Sequence, residues 1–289
     1  MSVARTGALP NTYKYFTIAV NGFEQKRIEG LVGHESQAGT ANFQNITQMV
    51  HIFNHVFDQI RYPMSTVDPR QFNRKNLKTS ADDSVDFSGP AGGISLRGKL
   101  ATFRIHVKYR YHATWQGDVT WLESGTTYTF ESFLQLMKVF DRVLGDGGPK
   151  AAPLGKQMCE VSVQNYENSL LSGDVSHPAV EERRAFANEF ELMEQMDAMF
   201  APTGSSVQET VVVPRKPGTC KGSLGPLTFV VRLLFDSNAT WQGTIRWKER
   251  GEQESFRSFL EMLMMMDEAA GRIIGREEDS SGGAAKNAS

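Results

Sequence analysis

Four stretches of the chain carry the same order of apolar and polar positions. They open with the segments FTIAV, FRIHV, CEVSV and FVVRL, which begin at Phe16, Phe103, Cys159 and Phe229. Apolar and polar residues alternate in each, the period of a strand with one buried face. Fourteen residues after each opening residue stands a glycine: Gly30, Gly117, Gly173 and Gly243. The residues around these glycines alternate again and predict a second strand. One face holds Trp115, Gly117, Val119 and Trp121, and its equivalents are Ile28, Gly30, Val32, His34, then Leu171, Gly173, Val175, His177, then Trp241, Gly243, Ile245, Trp247. A glycine inside a strand weakens it, so its recurrence predicts a bulge or the close approach of a second backbone or a large ring. A short third strand is predicted at Thr127–Thr129.

Thirteen residues beyond each glycine come Phe43, Phe130, Phe186 and Phe256, and then a helix start. Asn45, Ser132, Asn188 and Ser258 share one aligned position, with Gln48, Gln135, Glu191 and Glu261 three residues later. This is the spacing of a capping box, in which the first side chain accepts from the third helical N–H and the second reaches back. The strict form has Ser or Thr at the cap, so the two Asn units match more loosely. Helical spacing follows in Ile46, Met49, Val50, Phe53, Phe57, in Phe133, Leu136, Met137, Phe140, and in Phe190, Met193, Met196, Phe200.

A single unit has one apolar sheet face and one amphipathic helix, too little to bury a core. The pattern therefore predicts an α+β protein in which four strand–strand(–strand)–helix repeats pair into antiparallel sheets, each covered on one face by helices. Two pseudo-symmetric blocks are expected. The first, 11–145, holds units 11–62 and 100–145 around a flexible insert at 63–99. The second, 156–275, holds units 156–201 and 226–275 around a loop at 202–225, with a strand inside that loop at Val211–Val213. Residues 1–10 and 276–289 are expected to be disordered, and 146–155 to be a linker.

The 289 residues are 40% hydrophobic and 22% charged, enough apolar material for an ordinary core. A net charge of −2 gives no general attraction to polyanions. The two cysteines, Cys159 and Cys220, build neither a zinc site nor a disulfide framework. No apolar run has the length of a membrane span. These features predict a cytoplasmic protein that needs no membrane, metal or cofactor. Motifs for nucleophilic, phosphoryl-transfer or dinucleotide chemistry are missing as well, so no catalytic residues are expected.

Four constellations could carry a binding function. Arg104, His106, Lys108, Arg110 and His112 alternate along one strand and predict a positive ribbon about 27 Å long, suited to phosphates. Met262, Met264, Met265 and Met266 leave the fourth helix with almost no polar face, as expected of a partner interface or of a helix buried on both sides. Trp115, Trp121, Trp241 and Trp247 could stack bases, but Trp115 and Trp241 align with Ile28 and Leu171 on a strand face that also holds Val32, so core residues are expected. His34 and His177 lack further ligands nearby, and His51 and His55 lack a HExxH motif, so structural or helix-surface histidines are expected and no metal site. The main expectation is a non-catalytic binding or scaffold protein acting on a protein partner or on its own copy. The alternative is a single-stranded nucleic-acid binder using Arg104–His112.

The ATWQG-x-[Val/Ile]-x-Trp motif at Ala113–Trp121 and Ala239–Trp247, followed by SFL at the helix start, resembles a group of short, uncharacterised bacterial proteins of gut anaerobes. Those resemble one block of this chain, with a divergent first unit and an ATWQG second unit. The resemblance implies no function and no site residues. Strand-rich hairpins followed by one helix are also similar, in element order alone, to the Pur-type and Whirly-type folds, which bind single-stranded nucleic acid through their sheets. The Whirly KGKAAL motif is absent, and Pur units carry one more strand.

Overall fold

The computed structural model describes residues 10–72, 85–88, 96–145, 157–177, 180–200 and 227–284. The expected linker, the loop at 202–225 with its strand at Val211–Val213, and residues 1–9 lie outside them.

Each of the four units contains three strands and a helix. Unit one comprises β1 (Phe16–Gly22), β2 (Glu29–His34), β3 (Thr40–Phe43) and α1 (Ile46–Ile60). Unit two comprises β4 (Ala101–Tyr109), β5 (Gln116–Trp121), β6 (Thr126–Phe130) and α2 (Phe133–Leu144). Unit three comprises β7 (Met158–Glu167), β8 (Leu170–His177), β9 (Val180–Phe186) and α3 (Glu189–Phe200). Unit four comprises β10 (Leu227–Ser237), β11 (Thr240–Trp247), β12 (Glu252–Phe256) and α4 (Phe259–Ala284). The third strand, expected in one unit, is present in all four.

The first strands of two units pair antiparallel at the centre of each sheet. This gives two six-stranded sheets of order β3-β2-β1-β4-β5-β6 and β12-β11-β10-β7-β8-β9. Phe16 faces Ile105 in the first sheet, and Phe229 faces Val161 in the second.

The glycines mark the same device four times. Each first strand carries one extra residue opposite its second strand: Asn21, Lys108, Gln164 and Leu234. The bulge carries the preceding carbonyl over the glycine. A Cβ on Gly30, Gly117, Gly173 or Gly243 would lie 2.0, 1.9, 1.9 or 1.9 Å from the carbonyl oxygen of Ala19, His106, Ser162 or Arg232. Both predicted reasons for the glycine therefore apply at once. Each hairpin then turns through two consecutive left-handed residues, Gln25–Lys26, His112–Ala113, Asn168–Ser169 and Asn238–Ala239. That turn matches the natural twist of paired strands, although the left-handed region is costly for residues with a Cβ.

The capping boxes are formed. Asn45, Ser132, Asn188 and Ser258 accept from the N–H groups of Gln48, Gln135, Glu191 and Glu261 at 2.8, 3.1, 3.0 and 2.9 Å. The reach back goes one residue further than expected. The side chains of Gln48, Gln135, Glu191 and Glu261 accept from the N–H groups of Gln44, Glu131, Ala187 and Arg257, which precede the caps.

The two blocks share one continuous core. α2 touches β6 of its own sheet and β11 of the other, and α4 packs against α1 and α2, so helices fill the space between the sheets. Every cap residue also donates across the blocks. Asn45 Nδ2 donates to the Asn168 carbonyl at 2.8 Å and Asn188 Nδ2 to that of Gln25 at 2.7 Å. Ser132 Oγ donates to the Ala239 carbonyl at 2.5 Å and Ser258 Oγ to that of Ala113 at 2.7 Å. Units one and three thus clasp each other, as do units two and four. Each acceptor sits on one of the left-handed hairpin turns.

Two expectations of disorder are corrected. The beginning of the 63–99 insert is a strap across the second block. Phe72 is fully buried, stacked 6.0 Å from Phe229 and edge-on 5.7 Å from Trp247. Arg70 N–H donates to Glu261 at 3.0 Å, and Arg257 donates to the Asp68 carbonyl at 2.7 Å. Val85 and Phe87 pack against the core as well. At the other end, the backbone of α4 continues through Ala284, past the expected helix end near Arg276.

Candidate binding surface

The bulges decide which side chains reach the surface. On β4, Phe103, Ile105 and Val107 face the helices, while Arg104 and His106 face outward. Lys108 is the extra residue, and Tyr109 pairs with Gln116. Beyond the bulge the alternation is therefore reversed. Tyr109 turns outward and Arg110 turns in, over the ring of Phe57 at 5.0 Å, where it donates to Asn54 at 3.2 Å and lies 3.7 Å from Asp58. His112 follows in the left-handed turn.

The predicted five-residue ribbon is therefore corrected to Arg104, His106 and Lys108. These three are largely engaged. Arg104 lies 4.2 Å from the ring centre of Tyr15, and His106 lies 5.1 Å from the same ring. Burial, with Lys108 nearby, lowers the pKa of His106 and so disfavours a positive charge there. Lys108 forms an ion pair with Asp118, which raises its pKa. What remains is a mixed polar face rather than a phosphate track.

The residue two positions past the extra one turns inward in units one and three as well, whereas its equivalent in unit four, Asp236, is exposed. Phe23 meets Phe190 edge-on at 5.4 Å across the blocks. Tyr166 donates to Asp267 at 2.8 Å. Asp267 also lies 2.8 Å from His51 Nε2, so His51 faces α4 and is not a simple surface histidine. Glu189, at the first turn of α3, accepts from Leu171 N–H at 3.1 Å. It is 1% exposed, and burial, assisted by Asp267, pushes its pKa up to about 7.

The Met-rich helix is not a surface. Met262, Met265 and Met266 are buried and Met264 packs partly against the core, because α4 runs between its own sheet and α1 and α2. The proposed interface of Met262, Met264, Met265 and Met266 is thus corrected to internal packing. The tryptophans are core residues as expected. Trp115 stacks 5.1 Å from Phe53, Trp241 meets Phe200 and Phe259 edge-on, and Trp121 packs partly buried. His34 is structural: Ser36 N–H donates to its Nδ1 at 3.1 Å, which leaves Nε2–H to donate to the Tyr13 carbonyl at 3.0 Å. His55 Nε2 lies 2.8 Å from Gln59 on the helix surface. Among the described residues no three His, Cys, Asp or Glu side chains gather to hold a metal. No described helix is long and apolar enough to cross a membrane.

Of the six large apolar side chains exposed among the described residues, Met64 and Leu100 stand apart, and the other four lie on the bulged arms of units two and four. Tyr109 and Tyr111 are 50% and 44% exposed, and their rings stack at 5.1 Å and 14°. On β10, Leu234 is the bulge residue and Phe235 takes the place of Tyr109, with exposures of 50% and 64%. The glutamine of each ATWQG motif braces its arm. Gln116 accepts from Tyr111 N–H at 3.0 Å and donates to the Tyr111 carbonyl at 3.1 Å, while Gln242 donates to the Ser237 hydroxyl at 3.0 Å. The arms could not be found from composition, because the reversal at the bulge is what exposes these residues. The repeated glycine was the only available signal.

No protein-family model matches the chain, and no curated protein or solved structure shows significant similarity to it.

Proposed function

We propose that the chain is a non-catalytic binding and scaffold protein that acts through protein–protein contacts made by its bulged arms. The observation that carries this reading is the matched exposure of Tyr109 and Phe235 at equivalent positions of units two and four. Large apolar side chains held in water on a braced arm gain free energy when a partner covers them, about 25 cal/mol for each Å² of apolar surface. Tyrosine and phenylalanine are also among the side chains enriched in protein interfaces. The reading takes the cytoplasm as the compartment, in keeping with the two cysteines of the chain.

The test is cross-linking capture in native extract with the wild-type chain and with the Tyr109→Ser, Phe235→Ser double variant. A partner held by the wild type and lost by the variant supports the reading, provided both chains melt alike. Identical capture by both chains overturns it.

A second reading rests on a different feature of the same arm. Stacked Tyr109 and Tyr111, at the end of the strand that carries Arg104 and Lys108, could take a base of a single strand, in keeping with the similarity in element order to Pur-type and Whirly-type folds. A gel shift at low salt tests it. It needs a shift that disappears in the Arg104→Glu, Lys108→Glu variant, and the absence of any shift ends it.

A further inference from the structure

Four strands end the two sheets: β3, β6, β9 and β12. A terminal strand presents unpaired N–H and C=O groups, and proteins normally guard such edges with charge, proline, bulges or cover. β3 has four residues, three of them buried. β12 carries Glu252 and Glu254, and β9 carries Glu181, Glu182, Arg183 and Arg184. β6 reads Thr-Thr-Tyr-Thr-Phe, with no charge and no proline. Its register with β5 runs unbroken from Gly117–Phe130 to Trp121–Thr126, so no bulge twists it away. Thr126, Thr127 and Thr129 are exposed, so no described residue covers these side chains.

We propose that β6 is a docking edge for a second copy of this chain. The two β6 strands pair antiparallel about a two-fold axis at Tyr128, joining two six-stranded sheets into one of twelve strands.

The pattern of β6 favours its own copy over other occupants. With Tyr128 opposite Tyr128, Thr127 of one copy faces Thr129 of the other on the outer face, and Thr126 faces Phe130 on the inner face. Threonine pairs and β-branched–aromatic pairs are favourable across antiparallel strands. The flanking Glu131 falls opposite Gly125, whose left-handed backbone (φ +69°) closes the β5–β6 turn, so no like charges meet. The same operation on β12 sets Glu254 against Glu254. The outer threonines already point the right way. Thr127 Oγ1 lies 2.8 Å from Thr120 Oγ1, and Thr129 donates to Asp118 at 3.1 Å. Both parities of edge hydrogen bonding accept this register, because it places even residues opposite even ones and odd opposite odd.

This names the chain's own copy as a partner, within the protein-binding reading, through residues other than the arms. The two can therefore fail separately. Sedimentation velocity of the full chain, up to about 100 μM, should show a reversible dimer. Thr127→Lys with Thr129→Lys sets lysines against each other and should raise the dimer Kd at least about tenfold, with the fold intact by circular dichroism. Thr127→Glu with Thr129→Glu should do the same. An equimolar mixture of the two variants should form a heterodimer again, which a merely misfolded variant could not do. A wild type that stays monomeric overturns the proposal. So does a dimer indifferent to both variants, or one that the Tyr109→Ser, Phe235→Ser chain abolishes while the lysine variant does not.

Discussion

Ser258 accepts from the N–H of Glu261 at 2.9 Å and donates to the carbonyl of Ala113 at 2.7 Å, so one hydroxyl starts a helix in one block and clasps a hairpin of the other. All four cap residues have this double duty. A cap that must both accept and donate can be Ser or Asn, but an ionised Asp, otherwise a good cap, can only accept. The two residue types found at the aligned position meet this requirement.

Asn188→Asp should therefore destabilise the chain near neutral pH although it preserves shape and cap. The carboxylate would face the Gln25 carbonyl that Asn188 Nδ2 now serves. The loss should be about 1–3 kcal/mol. The new acid would have a folded pKa above its unfolded value, so stability should recover as pH falls toward the unfolded pKa, where the protonated acid can donate. Urea denaturation at pH 7 and pH 4 checks this.

Glu189 gives a pH dependence of the wild type. Its folded pKa of about 7 lies above the ordinary carboxylate value because the group is buried. The folded state then holds a proton that the unfolded chain has released, so stability falls as pH rises from about 4.3 and levels off above the folded pKa. Glu189→Gln should flatten that part of the curve and stabilise the chain at pH 8, by on the order of 2–4 kcal/mol. Chemical denaturation across pH 4–8 would show the difference.

Gly117→Ala should cost about 2–4 kcal/mol or abolish folding, since the methyl would lie 1.9 Å from the His106 carbonyl oxygen. Gly125→Ala, at a turn glycine with open space around its Cβ position, should cost less, only the strain of its left-handed backbone. Thermal melts of the pair separate steric exclusion from loss of chain freedom.

Phe72→Ala should destabilise by about 3–5 kcal/mol, the cost of emptying a fully buried aromatic site. A flexible insert would tolerate the change. The melting temperature of the full chain decides the point.

Caps, strand alternation and bulge glycines were legible in the sequence because each depends on a few neighbouring residues. The faces beyond the bulges were not. A single extra residue at Lys108 moved Arg110 against Phe57 and brought Tyr109 to the surface, and no periodicity reveals where the count slips. The third strands were missed where charged residues interrupt them, as in the Glu252–Phe256 strand. Met262 and Met266 were readable as apolar all round, but α4 is closed in by α1 and α2 of the other block as well as by its own sheet, and those helices lie far away in sequence.

The clasps also bear on how such a molecule could be assembled. Asn45 reaches unit three from unit one, and Asn188 reaches unit one from unit three, at matching atoms. Exchange of that kind is the rule of an isologous association, in which one patch serves both sides. The polypeptide thus has the internal symmetry of a two-fold homodimer whose halves have been tethered end to end, and separately expressed halves 1–150 and 151–289 would have the contacts they need to find each other.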